Sequence, residues 1–224
     1  NVAIRNANDG ISLAQTAEGA MGKVTDSLQR MRELAVQARN ATNSNADKDS
    51  LDKEFGELAK EIQRVVGGTT FNGKAILSTA GAGSQTFQVG ANTTSDDSIS
   101  IVTANLTTDT TITSVAGTDN TGAGRAVIDS SADATAIGSV IDDIDAALNT
   151  INSERATMGA SQSRFESVIS NLQISVENQA AARARIMDAD FAAETANLTR
   201  AQILQQAGNA MVAQANQMPQ GVLA

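Results

Sequence analysis

The chain has 224 residues, a formal net charge of −9, 41% hydrophobic residues and only 2% aromatic ones. This excludes binding to a phosphate backbone, which calls for a basic patch or stripe, whereas the sixteen Lys and Arg here are scattered. The absence of Cys and His removes disulfides, thiolate nucleophiles, the Ser-His-Asp relay and most zinc sites.

The start, NVAIRNANDG, has neither an initiating Met nor a signal-peptide profile. No apolar run approaches the roughly 20 residues that span a bilayer. With few rings, the apolar content is mostly Ala, Val, Ile and Leu, which suits long helices packed side by side.

Along the first forty residues, Ala7, Ala14, Met21, Leu28 and Ala35 form a row at sevens, flanked by Ile4 and Ile11 and later by Val24, Met31 and Ala38. This periodicity predicts a long amphipathic helix. The polar run RNATNSN reads as a turn, with Ser44 or Asn45 as the cap of a second helix. Leu51, Phe55, Leu58, Ile62 and Val65 then alternate steps of four and three up to Gly67 and Gly68, a coiled-coil-like seam.

FNGKAIL carries an Asn-Gly turn signal, and SQTFQV and SISIV alternate polar with apolar side chains, so a β-hairpin region is expected over 69–103. Periodicity fades over 104–134, where Thr, Ser, Asp and Gly predict a short, variable surface segment. A complete row at sevens resumes with Ile144, Ile151, Met158, Phe165 and Leu172, predicting one long helix over 135–187. Its companion row is broken by Arg155 and Gln162, which are expected to face water or a neighbouring chain.

A break near Asp188 opens the last segment, 188–224, with a charge-free helix ended by Pro219 and Gly221. In that helix Ala201, Leu204, Met211, Ala215 and Met218 face one way, and Ile203, Ala207 and Ala210 offer a second, small-residue face. Apolar side chains on more than one side predict burial on more than one side. The fold class is therefore mainly α, an elongated antiparallel helical bundle with a small β-hairpin region and a C-terminal helix.

Candidate chemistry is sparse. Gly68 to Ala75 nearly matches a phosphate-binding loop, but Ala75 lacks the hydroxyl for magnesium and the segment follows a helix and enters a strand, so it reads as a plain turn. Asp142, Asp143 and Asp145, and Asp188, Asp190 and Glu194, read as solvated helix faces rather than catalytic carboxylate pairs or a calcium loop. No cofactor, metal, nucleic acid or membrane partner is expected, and the tail lacks the Lys and Arg of a basic membrane anchor.

Arg30, Leu34 and Gln37 follow at i, i+4 and i+7 on the flank away from the core row, so an outward Leu34 is expected as a contact. If the first two helices pack antiparallel about a turn near residue 42, Glu54 lies level with Arg30. Spacing alone supports only a surface ion pair there.

The motifs ANDGISLAQTAEGAM, LQRMRELAVQA, TTFNGKAIL, FQVGAN and NLTRAQILQQAGNAMVAQANQMPQGVL together resemble bacterial flagellin, in the family's order. The resemblance implies a structural subunit, not an enzyme, that polymerises into the extracellular flagellar filament. Residues 1–68, 69–103 and 135–187 would form the outer core domain, and 188–224 part of the inner core domain. Because the match begins inside the first outer-core helix, the N-terminal helix that pairs with the C-terminal one is expected to be missing, with a few residues after Ala224.

Implied partners are other flagellin subunits, a flagellin export chaperone, hook-associated and cap proteins, and the flagellin-sensing Toll-like receptor. Carried over by motif, Arg30, Leu34 and Glu54 match receptor-contact positions and Gln29 and Gln37 flank them. Ala201, Leu204, Ala207, Met211, Ala215 and Met218 fall in the assembly and chaperone segment. Export through the flagellar type III apparatus is implied. A hook-filament junction protein is the second reading, and a soluble enzyme or toxin and a membrane-active tail are weaker ones.

Overall fold

The computed structural model describes residues 1–187 and 191–222, with side chains through residue 215. Two compact units are present, Asn1–Gln173 and Ile174–Ala224.

In the first unit, α1 runs Val2–Ala38 and α2 runs Asn45–Gly68. Ser44 starts α2 through a capping box: its Oγ accepts the Asp47 N–H at 3.3 Å and its own N–H donates to Asp47 Oδ2 at 3.0 Å. Strands β1 (Thr70–Phe71) and β2 (Lys74–Ala75) pair antiparallel around Asn72 and Gly73, both at positive φ (49° and 76°). That is the two-residue turn an Asn-Gly pair favours, and it occupies the would-be phosphate loop.

Strands β3 (Gly83–Gln88) and β4 (Ser98–Thr103) form a second antiparallel pair, with Phe87 opposite Ile99 and Gln85 opposite Ile101. Ile99 and Ile101 are buried, while Val102 between them and Thr103 is exposed, the period-2 pattern of a sheet covered on one face. Helix α3 (Thr110–Ala116) starts at Asp109, whose carboxylate accepts the Thr111 N–H at 2.9 Å. Helix α4 spans Ala134–Met187, and α5 spans Phe191–Val222.

The core joins α1, α2, α3, α4 and the β3–β4 pair, and it is built mainly from aliphatic side chains and Met with Phe55 and Phe165. At Gly10 the Phe165 ring of α4 comes against α1. A Cβ built there would lie 2.6 Å from Phe165 Cζ, so only glycine admits the ring. Phe165 in turn meets Phe87 edge-on, with centroids 5.6 Å apart, and Asn6 Nδ2 donates to the Gln88 carbonyl at 2.8 Å.

Several expectations are corrected. Leu34 is fully buried, not outward: it stands three residues after Met31 and four before Ala38, and α1 is covered over a wide arc. Arg155 and Gln162, both part-exposed, reach Glu18 of α1 at 3.7 Å and 3.1 Å, so they are not simply interruptions facing water. The stretch after residue 104 is not loose surface, since Leu106, Ile112, Val115, Ala116 and Ile128 are all fully buried.

In α2 the buried face, Asp52, Phe55, Gly56, Ala59, Ile62, Gln63 and Val66, is turned from the expected seam, because α1 covers one side and this stretch the other. Helix α5 starts earlier than expected and continues past Pro219. Proline's fixed φ is helical, and near a C-terminus few later bonds depend on it. The expected break falls at residues 188–190, outside the described residues, as do Asp188 and Asp190.

Candidate functional site

Two surfaces carry the residues singled out from sequence. The first is the outer face of α1 beside α2. Arg30 Nε donates to Glu54 Oε1 at 2.8 Å and its Nη1 donates to Glu33 Oε2 at 2.9 Å, with all three side chains about half exposed or more. The hydrogen bonds that Arg30 donates to Glu54 and then Glu33 hold the guanidinium above its ordinary pKa. Antiparallel packing about the Arg39–Ser44 turn thus brings Arg30 and Glu54 level, as their spacing predicted.

Gln29 and Gln37 are exposed on the same helix. Leu34 is absent from this surface because it points into the core. On the other flank of α1, Arg32 forks onto Asp145 of α4 at 2.7 and 3.2 Å, and this hydrogen bonding, then the charge of Arg32, holds the carboxyl below its ordinary range. Of the acidic cluster on α4, Asp142 and Asp143 are simply solvated.

The second surface is α5. Ala201, Leu204, Ala207, Met211 and Ala215 are all exposed, with Leu204 at 65% and Met211 at 72%. Ile203 and Val212 are exposed as well, at 60% and 61%, one on either side of the Leu204–Met211 row. The Met218 side chain lies outside the described residues. A helix that shows large apolar side chains over so wide an arc has a surface suited to burial by another helix.

Sequence reasoning missed an internal clasp. Arg125 Nη1 donates to Asp52 Oδ1 at 2.9 Å and Nη2 donates to Asp52 Oδ2 at 2.5 Å, with the side chains only 18% and 12% exposed. Asp52 also accepts the Ile128 N–H at 2.9 Å, and Asp49 the Ser130 N–H at 2.9 Å. Gln63 donates to the Gly117 carbonyl. Burial pushes the Asp52 carboxyl up, but the Arg125 and Ile128 hydrogen bonds outweigh it and hold the group below its ordinary value. A signal was available: Arg125 is the sole cation between Lys74 and Arg155.

Among the described residues no group of three or more carboxylates is placed to hold a metal ion, and no helix is long and apolar enough to cross a membrane. What the geometry offers is packing and recognition surface.

Comparison with known proteins agrees with the sequence motifs. A family model described as the bacterial flagellin N-terminal helical region matches residues 1–82, and one described as the bacterial flagellin C-terminal helical region matches residues 141–224. The N-terminal match starts at residue 1, so the expectation of a missing N-terminal inner-core helix finds no support. Flagellin of Halalkalibacterium halodurans is 43% identical over 221 residues, covering 99% of this chain and 76% of that protein. Flagellin of Bacillus subtilis is 39% identical over 241 residues, covering 99% and 79%.

Among solved structures, the crystal structure of Bacillus cereus flagellin aligns with a TM-score of 0.61 and 32% sequence identity, over 80% of this chain and 94% of that one. The chain therefore belongs to the flagellin family, structural proteins of the extracellular bacterial flagellar filament and not enzymes.

Proposed function

We propose that this chain acts as a filament subunit by helix burial, with α5 as the element that neighbouring subunits cover. The observation that carries this is the exposed apolar row of Leu204 and Met211 on α5, flanked by exposed Ile203 on one side and Val212 on the other, in a stretch without charge after Arg200. Open, head-to-tail contacts of this kind generate helical filaments. Gln and Asn along the same helix hydrogen-bond between helices without the desolvation cost of a buried charge.

On this reading residues 1–68, 69–103 and 135–187 form the outer core, and 188–224 belong to the inner core. Before assembly, Ala201, Leu204, Ala207, Met211, Ala215 and Met218 are the segment an export chaperone covers, and passage through the flagellar type III apparatus precedes contact with hook-associated and cap proteins. Family membership favours the filament subunit over a hook-filament junction protein. The test is elongation of flagellar filament ends by the chain, watched by electron microscopy. Growth from the seeds is expected, and a chain that never adds to them removes the reading.

A second role is supported by the α1–α2 surface: recognition by the flagellin-sensing Toll-like receptor through Gln29, Arg30, Gln37 and Glu54. Arg30 and Glu54 are held together at 2.8 Å on an exposed face. Leu34 is left out of this set because it is buried. Reversing both charges, Arg30→Glu with Glu54→Arg, is expected to weaken receptor binding about tenfold or more, since charge reversal turns complementary contacts into repulsive ones. Equal affinity in surface plasmon resonance would remove this role.

A further inference from the structure

The chain contains no Cys, His, Trp or Tyr, so methionine is its one readily oxidised side-chain type. The five methionines whose side chains are described divide sharply. Met21, Met31 and Met158 are 0–1% exposed in the core of the first unit, whereas Met187 and Met211, both in the second unit, are 68% and 72% exposed. We propose that Met187 and Met211 are the sites at which peroxide-class oxidants modify this chain, and that their oxidation stops the second unit from packing against other subunits. The latter half rests on the filament reading above.

The chemistry is a two-electron oxygen transfer from hydrogen peroxide. A thioether sulfur lone pair attacks one peroxide oxygen, the S–O bond forms as the O–O bond breaks, and after proton transfer the other oxygen leaves as water. The sulfur is oxidised to the sulfoxide and the peroxide is reduced. An oxidant reaches the exposed sulfurs directly but reaches the core ones only after local unfolding.

At Met187 the product is also favoured by its surroundings. Arg183 Nε already donates to the Met187 sulfur at 3.4 Å, and a sulfoxide oxygen is a far stronger acceptor for that N–H. At Met211 the change is in packing: a flexible apolar side chain becomes polar and chiral in the middle of the Leu204 row.

The experiment treats the full chain with dilute hydrogen peroxide, assigns sulfoxide to each methionine by fragment-ion mass spectrometry, and then measures seeded filament elongation. Sulfoxide is expected at Met187 and Met211 on the order of tenfold faster than at Met21, Met31 and Met158. Elongation of the treated chain is expected to fall by a similar factor, and a Met187→Leu, Met211→Leu double variant to elongate normally after treatment. Equal oxidation of core and exposed methionines would overturn the site assignment. Undiminished elongation of the oxidised chain, or equal loss in the double variant, would overturn the packing consequence. Failure of the untreated chain to elongate would count against the filament reading and hence against the packing consequence, while the site assignment is decided by the sulfoxide map alone.

Discussion

Arg125 and Asp52, 73 positions apart in sequence, are joined by two parallel hydrogen bonds at 2.9 and 2.5 Å, and the Ile128 N–H reaches the same carboxylate. This pair ties the stretch between α3 and α4 onto α2. Gly56, one turn on from Asp52, leaves room for the guanidinium, since a Cβ there would lie 3.0 Å from Arg125 Nε.

Asp52→Ala is expected to destabilise the chain by about 3 kcal/mol, because it strands a mostly buried guanidinium and a backbone N–H. Urea unfolding followed by circular dichroism measures this. A loss no larger than that of a surface pair would mean the clasp is solvated.

The same pair sets an acid dependence. Asp52 is held below its ordinary value of 3.8, so its contribution is fully present above that value and is lost as pH falls through the lower folded-state value. Between wild type and Asp52→Asn, the stability difference should therefore be constant near neutrality and shrink below pH 3.8. Thermal melts across that range follow it.

Glu154 behaves oppositely. Burial, and next the charge of Asp109, raise its carboxyl above the ordinary 4.5, so the folded state holds the proton more tightly than the unfolded chain does. Ionisation therefore works against folding as pH rises through and above 4.5, and Glu154→Gln should raise the melting temperature at pH 7 but hardly at pH 4.

Gly10→Ala sets two effects against each other. Helix propensity favours Ala by about 1 kcal/mol. Overpacking opposes it: the new methyl would sit 2.6 Å from a fully buried Phe165 ring that is itself braced by Phe87. Such insertions cost about 1–3 kcal/mol, so net destabilisation is expected, and Phe165→Leu in the same chain should cost less than it does alone. A double-mutant cycle reads the coupling.

Glu54→Ala should change stability by less than about 1 kcal/mol, because the Arg30 pair is roughly half exposed and Arg30 keeps Glu33 as a partner. A receptor-binding defect in this variant would then be a loss of contact, not of fold. Calorimetry beside the binding assay separates the two.

The long elements were legible because periodicity is a local property. The heptad rows placed α1 and most of α4, the Ser44 cap marked the start of α2, the Asn-Gly turn marked the link from β1 to β2, and alternation identified β3 and β4. What failed was non-local. Leu34 was misread because a one-sided stripe was assumed, whereas α1 is covered over a wider arc. Arg155 and Gln162 looked like interruptions, yet their partner Glu18 lies far away in sequence, 144 positions from Gln162.

Helix α3 escaped because seven residues rich in Thr give no periodic signal. Its flanks did mark it, with Asp109 as cap and Gly117 at φ 82° just past its end. Of the candidate surfaces, the Arg30–Glu54 pairing followed from hairpin arithmetic. The Asp52–Arg125 clasp depended on a chain path that no local pattern encodes.

The two flanks of α1 are charged in a way that fixes its phase. Glu18 meets Arg155 and Gln162 on α4, Arg32 meets Asp145 on α4, and Arg30 meets Glu54 on α2. The buried row between them mixes Ala with Leu13, Met21, Val24, Leu28, Met31 and Leu34, and the Phe165 ring of α4 seats against Gly10. A heptad slip would bring Ala3 or Ala17 under that ring and would also part the ionic contacts on both neighbours at once. These weak surface pairs thus work as an alignment key beside the Gly10–Phe165 seat, each disfavouring the same slipped positions.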